Sequence, residues 1–140
     1  MPVIVFALMV AAYQSPLTFT VDVGSAQDQA YTRNFHSRVT EAGRDFRWSG
    51  VYGYIALPGT GGGRPLTATL TIDSARSARV AIIVNGALLH DADLDAGWQT
   101  VSVTVDERAP AALSSRDTVI EVRAPDYRTP DAPNEAKGIK

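Results

Sequence analysis

Beyond Pro16 apolar and polar residues alternate with a period of two, not 3.6. Successive side chains of a strand point to opposite faces, so this alternation marks half-buried β-strands. In "LTFTVDV" (17–23) Leu17, Phe19, Val21 and Val23 share one face, and Thr18, Thr20 and Asp22 take the other. "LTATLTID" (66–73) repeats the pattern, with Leu66, Ala68, Leu70 and Ile72 inward. "WQTVSVTV" (98–105) does so with Val101, Val103 and Val105, and "TVIEVRAP" (118–125) with Ile120 and Val122. "RVAIIVNG" (79–86) is more nearly continuous in hydrophobicity, as a central strand covered on both sides requires. Asn85-Gly86 at its end predicts a type I′ hairpin, because both residues tolerate positive φ. "ALLHDADL" (87–94) is the short return strand, and Asp95 to Gly97 make a further turn.

The remaining segments are less regular. "GSAQDQAYTRNFHSRVTEAGRD" (24–45) is polar and weakly periodic, and reads as a short helix or a long surface loop. Tyr31 and Phe35, spaced i, i+4, would pack on one face of such a helix. "FRWSGVYGYIALPG" (46–59) reads as a strand pair or one bent strand, with Gly50 and Gly53 marking a bulge or tight bend. "TGGGRP" (60–65) predicts a flexible hairpin turn, and "ERAPAALSSRD" (107–117) a loop or short helix. Seven or eight short strands, with no long amphipathic helix and no fixed repeat, predict an all-β fold. The expected form is an antiparallel β-sandwich of immunoglobulin or jelly-roll type.

The N-terminal run "VIVFALMVAAY" (3–13) is apolar and uncharged. It is shorter than the roughly 18 to 20 residues that span a bilayer, and it lacks a positive n-region. The favoured reading is the outer end of a truncated membrane anchor. A signal h-region with an atypical start, or a buried element of the domain, are the alternatives. Gln14, Ser15 and Pro16 end the run, since proline disfavours helix at the residue before it. The expected organisation is thus an apolar segment over 1–13 and a sandwich over 14–140.

Composition narrows the function classes. A chain of 140 residues suits one domain with a real core. Thirteen Lys and Arg stand against 15 Asp and Glu, a net charge of -2, and the basic residues are scattered. Nucleic acid is therefore not expected as a partner, because phosphate binding needs concentrated positive charge. The absence of cysteine excludes disulfides, thiolate metal sites and cysteine nucleophiles.

No catalytic constellation emerges. His36 and His90 have no H-x-x-H or H-E-x-x-H neighbour and read as unrelated surface histidines. There is no G-x-S-x-G elbow. "GTGGGRP" lacks the G-K-[ST] of a phosphate loop. Asp91, Asp93 and Asp95 alternate onto one side and offer oxygens for a hard cation, as do Asp22, Gly24 and Asp28. The EF-hand pattern fails, and a charge-guarded edge strand accounts for the first group equally well. No metal or cofactor is assigned. For a sugar ring the chemistry needs a flat aromatic face with hydrogen-bonding groups beside it. Trp48, Tyr52, Tyr54 and Trp98 are the available platforms. Tyr52 and Tyr54 share parity, opposite to Val51, Ile55 and Leu57, which would take the core; the tyrosines then lie on an outer face, or one or both cover the second side of the sheet or fill core space around Gly50 and Gly53. Trp98 is opposite in parity to the valines of its strand, so it faces outward or lies beneath a loop.

The order of these motifs resembles the galactose-binding-domain-like jelly rolls of carbohydrate-binding modules. The likeness rests on "VNG" (84–86) ending a central strand, then "LLHDADL", then "GWQTVSVTV". The chain is more specifically similar to extracytoplasmic jelly-roll domains attached to polytopic membrane glycosyltransferases of the dolichyl-phosphate-mannose-transferase type. There the matching stretches are "PLTFTVDVG" (16–24), Phe35 with Glu41, "RWS" (47–49) and "LPG" (57–59). That family's final "L-G-[VI]" strand is represented here only by "KGIK", so the last strand looks cut short. The resemblance implies a non-catalytic, extracytoplasmic, membrane-tethered module. Its partners would be a glycan or lipid-linked sugar and a membrane protein. A structural or protein-interaction sandwich without sugar affinity is the alternative.

Overall fold

The computed structural model describes residues 19–125. The apolar run 3–13, the first two residues of the expected strand 17–23 and the tail from Asp126 lie outside the described residues. Among the described residues seven strands form two antiparallel sheets, the expected β-sandwich. They are β1 (Thr32–Glu41), β2 (Arg44–Leu57), β3 (Leu66–Ser74), β4 (Ala78–Val84), β5 (Ala87–Leu94), β6 (Gly97–Val105) and β7 (Thr118–Arg123). One sheet has the order β1-β2-β7-β4-β5, and the other pairs β3 with β6. The chain crosses between sheets before and after β3 and again before and after β6, a jelly-roll kind of wiring. A four-residue helix, α1 (Pro110–Leu113), lies in the connection from β6 to β7.

The core follows the alternation. Leu70 and Ile72 of β3 and Val101, Val103 and Val105 of β6 face Val80, Ile82 and Val84 of β4 and Ile120 and Val122 of β7 in one buried cluster. The other face of β3 and β6 is a ladder of hydroxyls. Thr67 meets Thr104 at 3.2 Å, and Thr69 meets Ser102 at 3.0 Å. β4 is central, as its continuous hydrophobicity requires, with Val80, Ile82 and Val84 fully buried and Ala81 nearly so on the opposite side. Asn85 and Gly86 turn the chain at φ 48° and 85°. Asn85 also clamps the fold. Its Nδ2 donates to the Ala112 carbonyl at 2.9 Å, and its Oδ1 accepts from the Val119 N–H at 2.7 Å.

Three expectations are corrected. Phe19 to Asp22 are not in a strand, although Val21 packs against the core. Residues 24–45 are neither a helix nor a long loop. A 3-10 turn at Asp28–Ala30 leads into β1, which forms a hairpin with β2. The hairpin turns on Ala42 and Gly43 at φ 51° and 75°. Alanine rarely adopts that conformation, so the turn carries no sequence signal. Register shifts on either side of Phe35, with Asn34 at φ 61°, break the alternation along β1. Third, "TGGGRP" is a crossing between sheets and not a hairpin. The N–H groups of Gly61, Gly62 and Gly63 donate to the carbonyls of Arg116, Ser115 and Leu113. At Gly61 a side chain would place its Cβ 2.0 Å from the Ser115 carbonyl oxygen, so the approach requires glycine.

The 24–30 turn is fixed to β2 by a buried ion pair. Arg47 donates from Nε to Asp28 Oδ2 at 2.7 Å and from Nη2 to Oδ1 at 3.0 Å. The Gly24 N–H donates to the same Oδ2 at 2.6 Å. Burial by itself would raise the Asp28 carboxyl. The hydrogen bonds from Arg47 and Gly24, with the charges of Arg47 and Arg38, outweigh it and hold the group below its ordinary range. The same pairing raises Arg47.

Two outcomes are expected. Val103→Asp should cost at least several kcal/mol, because an unpaired charge enters an apolar interior. An unchanged melting temperature would refute the core register. Asp28→Asn should cost about 3–5 kcal/mol at neutral pH by leaving Arg47 buried without its counter-charge. Because the native Asp28 pKa lies below the unfolded one, the pair's contribution is full above about pH 4 and is lost as pH falls through the native value. The gap between wild type and variant in urea denaturation should therefore narrow as pH falls below about 4.

Candidate sugar-binding face

With Val80, Ile82, Val84, Ile120 and Val122 turned inward, the residues between them must face out. Register aligns them in rows, because directly opposed residues share a face. Tyr54 lies beside Glu121, which lies beside Ile83, which lies beside Leu88. The next row is Tyr52, Arg123, Ala81 and Asp91. Two adjoining open depressions follow these rows. One, of about 500 Å³, is lined by Tyr54, Ile83, Asn85, Val119 and Glu121 among others. The second, of about 650 Å³, adds Arg79, Ala81, Leu88, Asp91 and Arg123. Ile83, Gly86 and Glu121 line both, so the surface is continuous.

The face combines the two chemistries a sugar needs. Tyr52 and Tyr54 sit with ring centroids 5.6 Å apart at an interplanar angle of 57°. Tyr52 is 44% exposed, and Tyr54 is half-buried. Two ion pairs supply directional polar groups. Arg123 donates from Nε and Nη2 to Glu121 Oε1 at 2.9 and 2.7 Å. Arg79 donates from Nε and Nη2 to the two oxygens of Asp91 at 2.7 and 2.8 Å. The Arg79 hydrogen bond holds the Asp91 carboxyl below its ordinary range, so this group stays ionised through neutral and mildly acidic pH.

The four aromatic candidates separate. Tyr52 and Tyr54 come together on the outer face. Val51, expected in the core, is 41% exposed, whereas Leu57 is buried and Ile55 packs against the core. Trp48 is only 8% exposed, edge-to-face with Phe46 at 5.6 Å, and offers no open ring face. It shares parity with Tyr52, but parity does not carry across Gly50. Between the pairs Arg33–Tyr54 and Phe35–Ser49, β2 advances five residues while β1 advances two, so the surplus of β2 falls at 50–53. This is the bend that Gly50 and Gly53 marked. At Gly53 a Cβ would meet Phe35 Cζ at 2.7 Å, so the glycine also makes room for that ring. Trp98 is 41% exposed but far from the tyrosines in register, opposite Asp73 on β3. The Arg44 guanidinium lies 5.0 Å from its ring centroid, a cation–π contact that occupies one ring face.

The polar candidates resolve differently. Both Asp28 oxygens are taken by Arg47, and Asp91 by Arg79. Among the described residues no three His, Asp or Glu side chains converge as metal ligands. His36 is exposed, but His90 is not a free surface residue. It faces inward opposite Ile82, is half-buried, and its Nε2 has no hydrogen-bond partner among the described residues. Sequence reasoning missed Glu121, Arg123 and Arg79 as site residues. Their alternation with Ile120, Val122 and Val80 was visible, but which strands lie side by side was not.

No family profile and no curated protein sequence matches the chain. The chain is similar to the solved structure of a family 35 carbohydrate binding module from an environmental isolate. The identity is 17%, with a TM-score of 0.44, over 65% of this chain and 75% of that chain.

The burial contrast predicts unequal stability effects. Trp48→Ala should cost about 3–5 kcal/mol, as removal of a large buried aromatic does. Tyr52→Ala should stay within about 1 kcal/mol of wild type. Denaturant titration of both variants checks this, and a larger loss at Tyr52 than at Trp48 would reverse the assignment of faces.

Proposed function

We propose that this domain is a non-catalytic carbohydrate-binding module whose site is the outer face of β2, β7, β4 and β5. The observation that carries the reading is the Tyr52–Tyr54 pair, set in register beside Arg123 and Glu121, with Tyr54 lining an open depression. A pyranose ring has apolar C–H patches and equatorial hydroxyls. The tyrosine rings supply a surface for the first, and the paired carboxylates and guanidinium groups supply acceptors and donors for the second. The groups are held by ion pairs before any ligand arrives, which lowers the ordering cost of binding.

We also infer an extracytoplasmic setting for the module, tethered as an accessory domain to a membrane-bound glycosyltransferase or cell-surface protein. The ordered stretches "PLTFTVDVG", "RWS" and "LPG" support this through their resemblance to such domains. No helix among the described residues is long and apolar enough to cross a membrane. Fractionation of cells expressing the full gene, with protease accessibility of this domain, tests the setting. Protection inside intact spheroplasts would refute it.

The binding test is a glycan array followed by calorimetry. Tyr54→Ala or Tyr52→Ala should weaken the best glycan on the order of 10- to 100-fold, in keeping with loss of a stacked ring and its hydrogen bonds. Binding that survives removal of both rings would move the site elsewhere. No binding to any glycan by a folded domain would favour a protein-interaction sandwich, for which exposed Leu88 and Val119 would be the contact residues.

A further inference from the structure

We propose that this face selects uncharged glycans over acidic ones, and that Glu121 enforces the choice by neutralising Arg123. The inference rests on the sugar-binding reading of the same face. A bare guanidinium beside a tyrosine platform would recruit uronates, sulfates or phosphates, because arginine matches such oxyanions bidentately. Here neither arginine of the depression is bare.

Arg123 is half-exposed beside Tyr52, yet its Nε and Nη2 both point at Glu121. The Glu121 side chain is only 14% exposed, between Tyr54 on one side and Ile83 on the other. It is thus part of the floor, whereas Arg123 reaches toward solvent. Arg79 is held by both oxygens of Asp91. Asp93, opposite Arg79 in register, adds a further carboxylate at that end. Arg33, beyond Tyr54 on β1, does not line either depression. Its Nη1 donates to the carbonyls of Gln29 and Thr32. Among the residues that line the two depressions, two guanidinium groups, Arg79 and Arg123, therefore stand against two carboxylates, Glu121 and Asp91, each already paired. An acidic ligand must break an existing ion pair or approach like charge, and a neutral hydroxyl-bearing ligand meets neither penalty.

The experiment compares short neutral gluco-, manno- and galacto-oligosaccharides with their C6-oxidised uronate counterparts. Wild type and Glu121→Gln are measured by calorimetry at low and high salt. Wild type is expected to bind a neutral series better than its uronate partner. In Glu121→Gln the ratio of uronate to neutral affinity should rise about tenfold, with the uronate gain shrinking at high salt. The double variant Glu121→Gln/Arg123→Gln should lose that gain, which assigns it to Arg123. A wild-type preference for uronates overturns the selectivity while leaving the sugar-binding reading intact. An unchanged ratio in a folded Glu121→Gln overturns the role of Glu121. Should that variant not fold, Arg123→Gln decides alone: a loss of uronate binding relative to neutral in this variant would show Arg123 already available to anions and overturn the proposal, whereas an unchanged ratio supports it. Absence of binding to either series by wild type refutes the sugar-binding reading itself, and the inference with it.

Discussion

A five-stranded sheet has to hide one of its faces, and among the described residues a pair of strands does most of the hiding. At about 4.8 Å between strands, β3 and β6 cover less than half the width of the larger sheet. Their valines, leucine and isoleucine therefore meet β4 and β7 at its centre, where burial is complete. Hydrophobic burial there, at about 25 cal/mol per Å² of apolar surface, is what fixes which side of β3, β4, β6 and β7 is inside. Reversal of β3, β4, β6 or β7 would expose an entire row of aliphatic side chains.

The flank beyond that cover is held by other means. β1 and the first half of β2 are tied to the 24–30 turn by the Asp28–Arg47 pair. Such a pair gains little net energy over an apolar substitute, because both charges must shed water. Its effect is geometric. A bidentate guanidinium accepts one carboxylate orientation, and the Gly24 N–H takes up the same Oδ2, so turn and strand lock in one arrangement. At the opposite side Asn85 does a neutral version of this job, joining the β4–β5 turn to β7 and α1.

The outer face inherits its character from the core. Because Ile120 and Val122 are inside, Glu121 and Arg123 must be outside, and because β7 lies between β2 and β4 they meet the tyrosines on one side and Ile83 and Ala81 on the other. The ion pairs that result are partly exposed, so they contribute little to stability. Their consequence is chemical: they set polar groups at fixed positions on a surface that also carries aromatic rings.

The sequence by itself determined the strands with unbroken alternation. Val101, Val103 and Val105, Leu70 and Ile72, and the Asn85-Gly86 turn all stand where a period of two and a positive-φ pair place them, because both signals are local. It determined the parity of Tyr52 and Tyr54 for the same reason. Only the tertiary structure decided what happens where locality fails. The Ala42–Gly43 turn is formed by a residue with no intrinsic preference for it, so β1 was hidden within a polar stretch. The bend at 50–53 broke the parity that would have put Trp48 beside the tyrosines. The "TGGGRP" crossing depends on carbonyls of residues fifty or more positions away. The neighbours of Tyr54 were decided last of all. β2 and β7 are far apart in the chain, and no local pattern says which two strands will pair. That choice belongs to the packing of the two sheets, where burial of the same aliphatic rows is satisfied together in one arrangement.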